Sequence, residues 1–252
     1  MLKRIQSTKN PQVKEWKKLL TKKGREKTGL FLIEGFHLVE EALKSDVHIV
    51  ELIVDEGKEI PSSWNVDHIP MTFVTEEIIQ AISDTEAPQG IVAVCKQLVH
   101  KPINWNRANV LMIDAVQDPG NIGTMIRTAD AVGMDAVILG EGCADLYNPK
   151  VIRATQGSLF HLPVFKGNLQ EWIEQLKSQN VSIYGTSLEN GEDYRNVPPM
   201  EPFALLVGNE GSGVRKELLD MTTKNLYIPI YGRAESLNVA VATGILLYHL
   251  RG

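Results

Sequence analysis

The sequence predicts an α/β protein in two parts, the second built on a parallel sheet. Three observations carry this reading. Beyond residue 108, short apolar runs alternate with helical segments, the pattern of strands covered on both faces. Before residue 100, shorter strands and helices read as a small α/β unit of their own. Between them, Leu98-Val-His-Lys-Pro-Ile-Asn-Trp-Asn-Arg107 has no clear period and contains a proline, so 101–107 reads as a linker. The 252 residues suffice for one large domain or two of ordinary size.

In the first part, Pro11 to Lys23 reads as an amphipathic helix, with Val13, Trp16, Leu19 and Leu20 at helical spacing. Strands are expected at 30–33, 49–54, 71–74 and 91–95, and helices at 35–43 and 75–82. Thr75 is suited to start the second of these helices. In the second part, strands are expected at 110–115, 136–139, 181–184 and 203–207, with a short one at 225–228. Helices are expected at 121–132, 169–178 and 214–221. The closing helix, 237–249, is apolar on nearly every face, which calls for burial under other chain or against a second subunit.

Composition excludes several function classes. Hydrophobic content of 43% and charged content of 23% are ordinary for a soluble globular chain. Two cysteines make no disulfide framework, and the first residues lack the apolar stretch of a secretory signal, so a cytoplasmic protein is expected. The most apolar stretch, 237–250, is too short and too polar to span a bilayer. Six histidines are scattered without metal-ligand spacing, and no metal is expected. There is no Gly-x-Ser-x-Gly elbow and no P-loop. A dinucleotide-dependent oxidoreductase would need a Gly-x-Gly-x-x-Gly turn, which is absent.

The net charge of −5 hides an asymmetry. Residues 1–30 hold ten Lys/Arg and two acids, a balance of +8, which leaves −13 for the remainder. A basic arm on an acidic body points to a polyanion contact; a solvated lysine-rich helix face is the plainer alternative.

Three polar segments carry the chemistry. Asp118-Pro-Gly-Asn-Ile-Gly-Thr-Met-Ile-Arg-Thr-Ala-Asp-Ala-Val-Gly133 turns from strand to helix, with Asn121 suited to cap that helix. Its Arg127 and Asp130 have the spacing of an exposed ion pair. Gly208-Asn-Glu-Gly-Ser-Gly213 follows a strand, and its glycines let backbone amides approach a ligand. Ile228-Pro-Ile-Tyr-Gly-Arg-Ala-Glu-Ser-Leu-Asn-Val239 leads into the last helix, with Ser236 suited to cap it. In parallel sheets ligands sit at the carboxyl ends of strands, where all three segments fall. None holds a His or Cys, which suits binding and polarising a substrate rather than metal or covalent chemistry.

Taken in order, these segments resemble the SpoU (TrmH-type) RNA ribose methyltransferases of the SPOUT class. The first segment agrees at Asp118, Pro119, Asn121, Gly123, Arg127, Ala129 and Gly133. Gly208-Asn-Glu-Gly211 is similar to the family's second motif, and Ile228-Pro229 with Ser236-Leu-Asn-Val239 to its third. Asn148-Pro-Lys-Val-Ile-Arg-Ala-Thr-Gln-Gly-Ser-Leu-Phe160 is similar to its middle region. Thr155, Val214 and Ile230 depart from the commoner residues. The resemblance implies a small α/β substrate-binding domain with a basic arm over 1–100, and a catalytic domain over 108–252 with a C-terminal trefoil knot. It also implies S-adenosylmethionine (SAM) as methyl donor, a homodimer, and RNA as substrate, ribosomal rather than transfer RNA. Carried over by position, Arg127, Asn121, Glu210, Asn238 and Ser236 are active-site residues. Gly208, Ile228 and Leu237 hold the cofactor, with Thr186 a further candidate. A tRNA methyltransferase, or a non-catalytic RNA-binding or ribosome-assembly factor, is the alternative.

Overall fold

A computed structural model describes residues 3–252. The chain forms two compact units. The first holds the residues up to Val99 together with Asp145–His161; the second holds His100–Ala144 and Leu162–Gly252. The expected division did not anticipate that excursion, in which the chain leaves the second unit for seventeen residues and then returns.

The first unit is a five-stranded sheet with helices. Its strands are β1 (Lys3–Ile5), β2 (Leu30–Glu34), β3 (Ile49–Asp55), β4 (Met71–Val74) and β5 (Ile91–Lys96), in the order β1-β4-β3-β5-β2. β1, β4 and β3 run parallel, and β5 is antiparallel to both β3 and β2. The expected helix over 11–23 is two helices, α1 (Pro11–Lys18) and α2 (Lys22–Thr28). The break follows from Thr21, whose hydroxyl accepts the Gly24 amide and so starts a new helix. A side chain at Gly24 would strike the Lys18 carbonyl, so the tight corner requires glycine there. α3 (Phe36–Leu43) and α4 (Glu76–Ile82) complete the run up to β5.

Val13, Trp16 and Leu19 are buried with Ile78, Ile79 and Val92 in one core cluster. The basic segment is therefore built into this unit and is no loose arm. Arg25 is also structural. It is buried; its Nε and Nη2 donate to Asp145 Oδ2 at 3.1 and 2.6 Å, and Nη1 donates to the Leu19 carbonyl at 2.8 Å. That ion pair anchors the returning segment at its first residue.

The second unit is a seven-stranded sheet, parallel throughout. Its strands are β6 (Val110–Ile113), β7 (Ala136–Leu139), β8 (Val164–Lys166), β9 (Ser182–Thr186), β10 (Glu192–Asp193), β11 (Phe203–Val207) and β12 (Lys224–Tyr227). The order is β10-β12-β9-β11-β6-β7-β8. The short edge strands β8 and β10 escaped the sequence reading, because so few residues show no period. The helices are α5 (Pro119–Val132), α6 (Pro149–Thr155, in the first unit), α7 (Leu169–Ser178), α8 (Lys216–Leu219) and α9 (Val239–Arg251). β6 and β11 are buried along their whole length, as central parallel strands must be.

The last helix is covered by its own chain on one side only. Ala240, Thr243, Leu246, Leu247 and Leu250 are buried, and the helix packs on α5 and β11. Its other side leaves Val241 at 53% and Tyr248 at 60% exposed, with Ile245 between them. Burial inside one chain therefore leaves an apolar side of this helix uncovered. Among the described residues no helix is long and apolar enough to cross a membrane, and no group of three or more His, Cys, Asp or Glu could hold a metal ion.

Candidate active site

Three neighbouring parallel strands, β12, β9 and β11, and the adjacent β6 end on the same side of the second unit's sheet. The segments that follow them meet there. Asp118, not Asn121, caps α5: its Oδ1 accepts the Asn121 amide at 2.8 Å. This relieves the Asn121 side chain of capping and leaves it for longer reach. Its Nδ2 donates to Glu210 Oε1 at 3.0 Å, and its Oδ1 accepts from Asn238 Nδ2 at 3.0 Å. Asn238, in turn, caps α9, its Oδ1 accepting the amides of Ala240 at 2.9 Å and Val241 at 3.3 Å.

The polarity of this chain of bonds is fixed from one end. A carboxylate can only accept, so Asn121 must present its NH2 group to Glu210 and its oxygen to Asn238. Asn238 must then present its own oxygen to the helix amides. Three residues separated by up to 117 positions are thereby locked in one orientation. Ser236 was expected to cap the helix. Instead Asn238 is exposed and is itself the cap, and Ser236 lies exposed two residues before it.

Desolvation pushes the Glu210 carboxyl up. The Asn121 side-chain amide, with the backbone amides of Glu210, Asp118 and Gln117, outweighs it and holds the group below the usual carboxylate range. Glu210 therefore stays ionised at neutral pH and is a weak proton acceptor.

The Glu210 loop is held by residues the sequence reading passed over. Asn209 Nδ2 donates to the Ala115 carbonyl at 2.8 Å, while its Oδ1 accepts the amides of Gly211 at 2.9 Å and Ser212 at 3.1 Å. Asn209 and Gly213 also exchange backbone hydrogen bonds at 3.0 and 2.9 Å. Ala115, just past β6, takes a left-handed φ of 53°, a strained state for alanine. At the loop's far end, fully buried Asp114 accepts from the Arg215 amide at 3.0 Å and lies 2.8 Å from Arg215 Nη2. The signal available for Asn209 was its place between glycines, where an Asx turn is expected. A lone Asp ending a strand and an Arg a hundred residues on gave none.

Gly208 is required sterically, since a side chain would collide with the backbone of Gly213 and Val214. Thr186, Gly208 and Ile228 each stand at or just beyond the carboxyl end of β9, β11 or β12. Thr186 donates its hydroxyl to the Leu206 carbonyl at 3.3 Å, so its proton is already engaged. Leu237 is 37% exposed beside Asn238. Arg127 is not part of the hydrogen-bonded chain. It lies six residues beyond Asn121, about 9 Å along α5, exposed and without a hydrogen bond or ion pair among the described residues.

A family model described as the SpoU rRNA Methylase family matches residues 108–248. The chain belongs to the SpoU rRNA methylase family. Residues 10–93 match an MRM3-like substrate binding domain. Over 251 residues, 100% of both chains, the protein is 54% identical to the 23S rRNA (guanosine(2553)-2'-O)-methyltransferase RlmP of Bacillus subtilis (strain 168). The AdoMet-bound rRNA methyltransferase from Sinorhizobium meliloti superposes with a TM-score of 0.89 at 34% identity, over 99% of this chain and 97% of that one. The methyltransferase AviRb from Streptomyces viridochromogenes, solved with AdoMet, gives 0.84 at 27% identity, over 96% and 97%. Family membership makes the protein a methyltransferase with a substrate-binding domain on a SPOUT-type α/β fold. The resemblance read from the three segments is thus met along the chain.

Proposed function

We propose that the protein transfers a methyl group from SAM to a ribose 2′-hydroxyl of 23S ribosomal RNA, acting in the cytoplasm as a homodimer. The observation that carries this reading is the Asn238–Asn121–Glu210 chain at the carboxyl ends of the strands. Three polar residues from three distant segments, fixed in one hydrogen-bond polarity, make a preorganised polar site. The 54% identity to a 23S rRNA guanosine 2′-O-methyltransferase supports ribosomal over transfer RNA, and a guanosine as the target.

The residues fit SAM. Gly208, Ile228 and Thr186 offer backbone groups at the ends of three adjacent strands, and Leu237 supplies an exposed apolar side chain next to them. When bound, SAM supplies a methyl group on a sulfonium, which leaves as a neutral thioether. The protein's own task is then the nucleophile, a weakly acidic hydroxyl. Arg127, a guanidinium that stays protonated, suits a neighbouring phosphate or the negative charge growing on the 2′-oxygen. Glu210, held ionised by its partners, orients Asn121 and through it Asn238. These two amides can position a ribose, and alignment alone contributes several kcal/mol in such reactions. Ser236, exposed ahead of Asn238, supports the same edge.

The trefoil knot and the homodimer belong to this proposal. A second copy is the occupant we assign to the Val241, Ile245 and Tyr248 face of α9, an apolar stripe at helical spacing. RNA contact by the first unit rests on exposed Lys14, Lys17, Lys23 and Lys27 of α1 and α2. The test is transfer of labelled methyl from SAM to protein-free 23S rRNA, followed by mapping of 2′-O-methyl positions. Label on a base, or none on ribosomal RNA with strong label on transfer RNA, would defeat the substrate assignment.

A further inference from the structure

Tyr231 is the most exposed aromatic side chain among the large hydrophobics, at 83%, and it sits on the segment between Ile228 and Asn238. An exposed aromatic is unremarkable when it moves freely. This one is held. Its hydroxyl accepts from Arg195 Nη1 at 2.8 Å. Arg195 is itself fixed by Asp193, with Nε to Oδ1 at 3.0 Å and Nη2 to Oδ2 at 2.6 Å, and the Arg195 amide donates to the same Oδ1 at 3.1 Å. The Arg195 guanidinium is raised above its usual pKa, chiefly by the hydrogen bonds it donates to the Asp193 carboxylate, so the tether stays charged. A bidentate ion pair thus holds the polar tip of the ring and leaves its faces to solvent. Two residues on, Arg233 is an exposed cation without an ion pair among the described residues. A fixed aromatic face beside a free cation is the pairing by which proteins hold unpaired nucleotides: the ring stacks on a base and the cation meets the backbone.

We propose that Tyr231 is a stacking platform for an unpaired nucleobase next to the methylated ribose, with Arg233 on the adjoining phosphate. This rests on the reading of the protein as an RNA methyltransferase and adds a substrate-binding residue to it. A 2′-hydroxyl lies open in the shallow minor groove, but an unpaired, splayed-out nucleotide leaves more room for in-line approach to the methyl donor, and a preset stacking partner offsets part of the lost stacking. Tyr231 is then a binding residue, and its loss acts on RNA affinity rather than on the transfer step.

The experiment is steady-state methylation of a protein-free 23S rRNA transcript by Tyr231→Ala, Tyr231→Leu, Tyr231→Phe and Tyr231→Trp, with SAM affinity by calorimetry and oligomeric state by light scattering. Tyr231→Ala and Tyr231→Leu are expected to raise KM for RNA on the order of tenfold, with kcat and SAM affinity near wild type. Tyr231→Phe and Tyr231→Trp, which keep an aromatic face, recover most of the loss. Recovery by Tyr231→Leu would mean plain apolar packing and overturns the proposal. Weakened SAM affinity with unchanged RNA KM would place the cofactor's adenine on the ring, and dissociation into monomers would place a second subunit there; either overturns it too. If the wild-type protein methylates RNA and Tyr231→Ala is indistinguishable from it, this inference falls alone. A wild-type protein inactive on every RNA removes the underlying reading, and this inference with it.

Discussion

The side-chain amide of Asn121 donates to Glu210 at 3.0 Å and so ties the first turn of α5 to the loop after β11. Each partner is positioned by a different strand of the sheet, and neither is held by covalent neighbours of the other. Removing the charge while keeping the shape tests what the pair does. Glu210→Gln is expected to fold normally and to bind SAM within a few-fold of wild type. Methyl transfer should fall on the order of tenfold to a hundredfold, because a neutral partner no longer fixes which way the Asn121 amide points. Calorimetry with SAM and single-turnover transfer separate the two effects; an unchanged rate would remove Glu210 from the site.

The same carboxylate makes a prediction about pH. A carboxyl whose folded pKa lies below its unfolded value stabilises the fold above the unfolded pKa, and this contribution disappears as pH falls through the folded one. For Glu210 the window therefore lies below the ordinary carboxylate value of about 4.3. Loss of activity through protonation of Glu210 belongs in that acid range, and no limb from it is expected between about pH 5 and 8. A kcat profile with an apparent pKa near 6 that vanishes in Glu210→Gln would contradict this.

Arg127 stands apart from the hydrogen-bonded chain, so its loss should leave the fold alone. Arg127→Lys keeps the charge and removes the planar fork, and at an exposed site it should change stability by under about 0.5 kcal/mol. We expect most turnover to vanish while SAM still binds. Failure to bind SAM would show that the residue serves the cofactor instead.

Asp114 and Arg215 are unequal partners. Asp114 is fully buried, while the Arg215 side chain is 45% exposed and can turn to water. Arg215→Met strands a buried carboxylate with a backbone amide, and should cost about 3 kcal/mol. Asp114→Asn leaves a cation that solvent can reach, and should cost less, about 1–2 kcal/mol. Urea denaturation of the two variants gives the order directly, and the reverse order is the refuting result.

Removing residues 1–27 to test RNA binding would take out β1, α1 and buried Arg25, and the first unit would lose part of its core. Charge reversal is the cleaner route. Lys14→Glu, Lys17→Glu and Lys23→Glu together should weaken RNA binding, flatten its salt dependence by about two to three units of slope, and spare SAM affinity. Filter binding across a salt series reads both quantities, and an unaltered slope would return these lysines to plain solvation.

The strands β6, β7 and β11 were legible because each is a short apolar run followed by a turn; β7 and β11 lie where expected, and β6 ends two residues before the expected 115. The polar segments were legible as a group, and Asn121, Glu210 and Asn238 do touch. The capping assignments were not. Asn, Asp and Ser all accept helix amides, and sequence cannot say which of two nearby candidates takes the position; Asp118 and Asn238 do so here, in place of Asn121 and Ser236. Asp114 with Arg215 stayed hidden for another reason. A buried ion pair leaves no periodic trace, and its members lie a hundred residues apart. The break between α1 and α2 was masked by an apolar spacing that runs on through Leu19 and Leu20 while the backbone turns at Thr21.

The detour of Asp145–His161 makes the two halves inseparable by any single cut. A protein shortened to residues 100–252 would carry an orphaned helix and the Asp145 carboxylate without its arginine. One ended at residue 99 would lack α6. Neither fragment keeps its own unit's contacts, so a working half would need residues 145–161 moved or rewritten as well as the chain cut at the linker.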